Sequence, residues 1–126
     1  MTRACAPYLR KNKMGRVINI SAFIGLSAEG SRIAHATAKA GLIHLNRCLA
    51  NALAPEVTVN SVAPGLMEGT TMFQKINHDA VEADRQRAKL KRHTSLEDVA
   101  DQVLTFCRAE SVTGQVLVID GGIIFH

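Results

Sequence analysis

A short β-branched run followed by a long proline-free stretch limits this chain to a strand-then-helix unit over residues 15–54. Val17, Ile18 and Ile20 lie between Gly15 and a loop of small residues, the pattern of a strand buried on both faces of a parallel sheet. Residues 32–54 hold no proline and one glycine, Gly41, with Ala, Leu and Ile dominating. They predict a helix of about six turns, with Ser31 as its cap and Pro55 beyond its end. His35 and Lys39 are four apart, so they share one helix face at the end nearest the preceding strand's carboxyl terminus. Doubly wound α/β proteins keep their chemistry there.

The rest of the chain repeats that alternation. Residues 57–62 alternate β-branched and small polar side chains and predict a second strand, stopped at Ala63, Pro64 and Gly65 because proline cannot donate to a sheet. Residues 115–120 predict a third, closed by Gly121, Gly122 and an apolar tail. Before the first strand, residues 2–13 read as the end of a helix, with Ala4, Cys5, Tyr8 and Leu9 on one side and Arg10, Lys11 and Lys13 in its last turn. Pro7 inside it predicts a kink or a late start. SLED over residues 95–98 resembles a capping box, and Val99, Val103, Phe106 and Cys107 supply a helical apolar face behind it. The segment 68–92 is polar, with Met72, Phe73, Ile76, Val81 and Leu90 as scattered anchors. Right-handed crossovers then give an α/β fold: one domain over residues 1–126, with a three-stranded parallel sheet and flanking helices.

Composition excludes more than it selects. An apolar fraction of 47% with 21% charged residues is that of a globular domain and argues against disorder. The net charge of +4 owes much to Arg85, Arg87, Lys89, Lys91 and Arg92. Acidic neighbours and the lack of interleaved aromatic residues make this a solvated helix face, with a cofactor phosphate as the alternative, and argue against nucleic acid as a partner. Cys5, Cys48 and Cys107 are widely separated and fall in predicted helices, which suggests buried small hydrophobes in a reducing compartment. His35, His44, His78, His93 and His126 include no adjacent helical pair at ligand spacing, so no metal is expected. No apolar stretch is long enough for a membrane span, and the first residues lack the apolar centre of a signal peptide, so the expected location is the cytoplasm.

Four blocks carry more specific information: GRVINIS at 15–21, HATAKAGL at 35–42, VNSVAPG at 59–65 and TGQVLVIDGG at 113–122. In order and spacing they resemble the classical short-chain dehydrogenase/reductase family, in its carboxy-terminal half. The resemblance implies a partial Rossmann-like fold whose strands are the family's last three. It also implies NAD or NADP as cofactor and hydride exchange with a small-molecule carbonyl or alcohol. The family's acid is a tyrosine, paired with a lysine four residues on and a serine thirteen residues before. Here the resemblance puts Lys39 at the lysine, His35 at the tyrosine and Ala22 at the serine, with Ser21 one residue earlier. Ser21, His35 and Lys39 are therefore the catalytic candidates, and an imidazole can donate a proton to a developing alkoxide. Lys39 would also meet the nicotinamide ribose. Pro64, Gly65 and Met67 match the nicotinamide-contacting turn, and the family's threonine falls at Gly69, one step before Thr70. Lys39, Pro64, Gly65, Met67 and Thr70 are the cofactor-binding candidates. The competing structural readings are a histidine left on a helix face, a solvent-reaching lysine and a strand-terminating turn.

The family grips its dinucleotide through a glycine-rich turn in an amino-terminal βαβ unit. These 126 residues contain no G-x-G-x-x-G. The expectation is a chain that is inactive or incomplete by itself, with no cofactor of its own as the alternative to NAD or NADP. Its expected partner is a second copy or a complementing chain, through the free edge of the first strand or the apolar long helix. A self-associating, non-catalytic interaction module is the alternative function.

Overall fold

The computed structural model describes residues 1–11, 14–28 and 32–125. Lys13, Ser31 and His126, which figure in the sequence reading, lie outside the described residues. The elements run α1 (Thr2–Lys11), β1 (Gly15–Ile20), a 3₁₀ turn (Phe23–Gly25), α2 (Ile33–Leu53), β2 (Val57–Pro64), α3 (Thr71–Lys75), α4 (His78–Arg87), α5 (Leu96–Arg108) and β3 (Val116–Ile119).

The three strands form one parallel sheet in the order β1-β2-β3. With both its edges paired, β2 is the most enclosed: Val59, Asn60, Ser61, Val62 and Ala63 expose none of their surface. Alternation along the strands sends successive side chains to opposite faces. Val57 and Val59 pack with Val17, Ala50 and Leu53 under α1 and α2, whereas Val62 packs with Ile18, Val99 and Phe106 under α5. The result is a helix, sheet, helix sandwich.

β2 runs two residues beyond its expected end, through Pro64, which pairs with Ile119 of β3. The reason is register. Ser61 and Gly65 donate their N–H groups towards β3, to Gln115 and Ile119. The intervening even-numbered residues therefore face β1. At Pro64 that neighbour has already ended, so the missing donor breaks no ladder bond.

The other edge of β1 is open. Ser21 donates to the Val62 carbonyl, so the backbone groups of Arg16, Ile18 and Ile20 turn away from β2, and no described strand pairs with them.

Two buried asparagines hold the loop before β3 in place. Asn60 donates to the Val112 carbonyl at 2.8 Å and accepts from the Gln115 N–H at 3.1 Å. Asn46 of α2 accepts from the Asn19 side chain at 3.0 Å and donates to the Gln115 carbonyl at 3.2 Å. Satisfied in this way, both are fully buried.

Several sequence expectations give way. Cys5, Cys48 and Cys107 lie in helices as expected but are all exposed rather than buried. In α1 the packing face is Ala6 and Leu9, while Ala4, Cys5 and Tyr8 point outward. α1 begins at Thr2 with Pro7 in its interior, so there is no late start. Met72 and Leu90 are exposed, and the buried residue near the end of the polar segment is Ala88. α5 keeps its capping serine: Ser95 Oγ accepts from the Asp98 N–H at 3.2 Å and donates to Glu97 at 2.9 Å.

Candidate functional site

Where β1 and β2 end, the chain leaves the sheet in two directions and opens a cleft of about 390 Å³. Its floor is the end of β1 and the turn after β2, one wall is the first turns of α2, and the other is α3 and α4. Ser21, His35, Lys39, Pro64, Gly65, Met67 and Thr70, all singled out from the sequence, line this one cleft.

The α2 wall is held close by two features. Gly25 has no side chain because a Cβ there would stand 2.7 Å from the Lys39 backbone and 2.8 Å from that of Ala40. The 3₁₀ turn can therefore rest directly on the helix. Lys39, half-buried rather than reaching into solvent, donates from Nζ to the Ile20 carbonyl at 3.0 Å. His35 is exposed one turn nearer the cleft mouth. The helix opens at Arg32, which caps it with no side-chain hydrogen bond and has no acidic residue in the turn that follows.

The floor is polar but committed. Ser21 is buried, donating from Oγ to the Val62 carbonyl at 3.1 Å and accepting from Ser61 Oγ at 2.8 Å. Its hydroxyl proton is spent inside the protein. Ala22, the neighbouring cleft residue, offers only a methyl group.

The Pro64–Gly65 turn is fastened from behind by Thr94, a residue the sequence reading passed over. Thr94 Oγ1 accepts from the Gly65 N–H at 3.1 Å and donates to the Ile119 carbonyl at 2.6 Å, while its N–H donates to Leu66. Any side chain at position 65 would collide with it, since a Cβ there lies 2.8 Å from Thr94 Oγ1. Thr70 Oγ1 donates to the Met67 carbonyl at 2.9 Å and accepts from the Phe73 N–H at 3.2 Å, so it both closes the turn and caps α3.

The opposite wall is largely apolar, with Met72, Ile76, Ala80 and Ala83, followed by Asp84 and Arg87. Arg87 belongs to the basic cluster expected to be a solvated face, and here it lines the cleft. Asp84 Oδ2 stands 3.6 Å from His93 Nδ1, with both side chains largely buried. The Phe73 ring meets the His93 ring edge-on at 5.1 Å. On the outer surface of α4, the Arg85 and Gln86 side chains donate to Glu82 and lower its carboxyl pKa to about 2.

The sequence reading did not place Arg32 or Asp84 in the site, and Arg87 entered it only through the basic cluster for which a cofactor phosphate was the alternative. Arg32 was recoverable, since it precedes His35 by three residues on the same helix. Among the described residues no group of three His, Cys, Asp or Glu side chains could hold a metal, and no helix is long and apolar enough to cross a membrane.

The comparisons with known proteins bear on the fold and the family. The family model described as Enoyl-(Acyl carrier protein) reductase matches residues 1–124. The chain is 36% identical over 127 residues to the 3-oxoacyl-[acyl-carrier-protein] reductase FabG of Thermotoga maritima, covering 98% of this chain and 51% of that protein. It is 32% identical to the short-chain dehydrogenase/reductase homolog YusR of Bacillus subtilis, covering 95% of this chain and 92% of that one. Among solved structures, a 7α-hydroxysteroid dehydrogenase complexed with NADH and 7-oxo glycochenodeoxycholic acid superposes with a TM-score of 0.88 at 27% identity. That likeness covers 96% of this chain and 49% of the dehydrogenase. The chain spans about half the length of the FabG relatives it matches. A parallel three-stranded sheet with a cleft at its carboxyl end, a family match over nearly every residue and relatives that are reductases place the chain in the short-chain dehydrogenase/reductase family.

Proposed function

We propose that the cleft is the substrate and nicotinamide end of an NAD(P)-dependent oxidoreductase site acting on a carbonyl or alcohol, completed by a dinucleotide-binding βαβ unit outside these 126 residues. The observation that carries this reading is the convergence of Lys39, His35 and the Pro64–Gly65 turn on one cleft beside an open sheet edge.

The residues present fit one end of a dinucleotide. Lys39, Met67 and the Gly65 turn bound a space suited to a nicotinamide and its ribose, while no glycine-rich turn here could cradle a pyrophosphate. The nicotinamide, when bound, supplies the hydride. Lys39, fixed by Ile20, presents positive charge beside the reacting centre. His35 stands at the position from which a proton would reach a developing alkoxide. Ser21 shapes the floor without donating, because its proton is held by Val62.

On this reading the chain by itself does not turn over substrate, and restoring the family's side chains improves it when the cradle is present. In a protein joining this chain to the amino-terminal half of a relative, Ala22→Ser with His35→Tyr should raise NADPH-dependent carbonyl reduction. An unchanged rate counts against the reading.

A second reading rests on a separate observation. The outward face of α2, running through Ile33, Thr37, Gly41, Leu45 and Cys48 with His44 among them, is exposed and carries no Lys, Arg, Asp or Glu. A surface helix normally shows water a polar face, so this stripe supports association with another copy. A clean monomer in sedimentation at micromolar concentration would dismiss it.

A further inference from the structure

We infer that Thr94 is a positioning residue for the nicotinamide end of the cleft, its hydroxyl holding the Pro64–Gly65 turn in place over the end of the sheet. The inference rests on the proposed function in taking that turn for the nicotinamide's. It goes further by giving a role to a residue that does not itself line the cleft.

The turn has open space on both sides. Pro64, Gly65, Leu66 and Met67 line the cleft, and behind them lies a second cavity of about 450 Å³, bounded by Thr94, Ile119, Asp120 and Phe125. Gly65, Leu66 and Met67 are partly exposed, whereas the strand residues leading into them are buried. With so little packed against it, the turn owes its position to directed bonds.

Thr94, 29 positions away from Gly65 in sequence and 3% exposed, supplies them. Its Oγ1 accepts from the Gly65 N–H at 3.1 Å and donates to the Ile119 carbonyl at 2.6 Å, and its N–H donates to the Leu66 carbonyl at 3.0 Å. A hydroxyl both donates and accepts, so one atom joins the turn to β3, and a methyl group in its place does neither. The β-branched side chain has a stiff first torsion, which aims that atom. Thr70 also bonds the turn, at the Met67 carbonyl, but from three residues further on, so it travels with the turn instead of tying it to the sheet.

The base of this strut is fixed in turn. The Leu90 N–H donates to the Gly121 carbonyl at 3.0 Å, and the Asp120 carboxylate accepts from the Gly122 and Ile124 N–H groups at 2.8 and 3.0 Å. The end of β3, residues 90–94 and the turn thus form one hydrogen-bonded unit, with Thr94 as its link to the cleft. A displacement of about 1 Å far from the chemistry can cost about a hundredfold in rate, so a hydroxyl outside the cleft can govern what is held inside it.

The test uses this chain alone, methyl-labelled at methionine, with reduced nicotinamide riboside as the probe, which carries a nicotinamide and its ribose without a phosphate. Met67 belongs to the turn, while Met1 and Met14, exposed and outside the cleft, serve as references. The expected result is a saturable Met67 shift of millimolar affinity. Thr94→Val keeps the shape, removes both hydroxyl bonds and should weaken binding about fivefold or more, and Thr94→Ser should come back within about twofold of the unaltered chain. Val59→Ala trims a fully buried side chain away from the turn, so it should lower the urea midpoint and leave the affinity unchanged. A merely structural Thr94 would behave as Val59 does. Should Thr94→Val not fold, Thr94→Cys against Thr94→Ser makes the same comparison, since the two differ in one atom and sulfur bonds weakly, and the cysteine variant should bind about threefold more weakly. Equal affinity with and without the hydroxyl, or a loss that Thr94→Ser does not restore, would overturn the inference and leave the proposed function standing. No Met67 shift in the unaltered chain at about 10 mM riboside would overturn both.

Discussion

Lys39 donates its ammonium to the carbonyl of Ile20 across 3.0 Å, tying the long helix to the last residue of the edge strand. That carbonyl faces away from β2, on the side where no described strand lies. The lysine therefore satisfies an edge group and is fixed by it. Lys39→Met should cost about 1 kcal/mol, the scale of one partly exposed hydrogen bond, read as a lower urea midpoint with an unchanged slope.

The Asp84 carboxylate faces the His93 imidazole at 3.6 Å, where the α3–α4 wall meets the segment that Thr94 anchors on the sheet. With Asp84→Asn the charge facing His93 is lost while the shape is kept. Amide exchange in α3 and α4 should quicken several-fold, with the central strand β2 unaffected, because the wall opens locally rather than by global unfolding.

Two glycines should respond in opposite directions. Gly65→Ala drives a methyl to 2.8 Å from Thr94 Oγ1 and 3.1 Å from the Asp120 Cα, a clash costing about 1–3 kcal/mol. Gly41→Ala meets nothing within 4 Å and lies inside α2, so it should stabilise by roughly 0.5–1 kcal/mol. Thermal unfolding of the two variants checks both signs. If the stripe through Gly41 packs against another copy, Gly41→Ala should also shift the sedimentation profile.

Glu82 should keep its charge well into acid. Arg85 first and Gln86 second lower its pKa from 4.5 to about 2. A carboxyl whose folded pKa is depressed contributes stability above its unfolded pKa and loses it as the pH falls towards the folded one. The contribution is therefore complete above pH 4.5 and fades between there and about 2. The pair is exposed, so the effect is small and shrinks with salt. Side-chain NMR titration should give a midpoint near 2 that rises in Arg85→Gln.

The sheet and the long helix were legible because their signals are local. A β-branched run can be buried only as a strand here, and twenty-one residues without proline continue as helix. Lys39 and the Gly65 turn, singled out through the family resemblance, line one cleft. What escaped depends on neighbours distant in sequence. The outward position of Cys5 and Tyr8 follows from where β1 and α2 lie beneath α1, and Pro64 stays in its strand because β1 has already stopped. Thr94 looked like any loop threonine until its hydroxyl joined Gly65 to Ile119, and Asn46 and Asn60 are polar residues whose burial depends on carbonyls about fifty to seventy positions away.

The central claim is that this cleft is the reacting end of a dinucleotide site whose grip lies outside these residues. NADPH fluorescence titration tests it most directly, run on the chain alone, on the chain joined to the amino-terminal half of a relative, and on the joined protein carrying Lys39→Met. The expected result is no binding by the chain alone up to about 1 mM, micromolar binding by the joined protein, and clear weakening with Lys39→Met. Micromolar binding by the chain alone, or joined binding indifferent to Lys39, would contradict it.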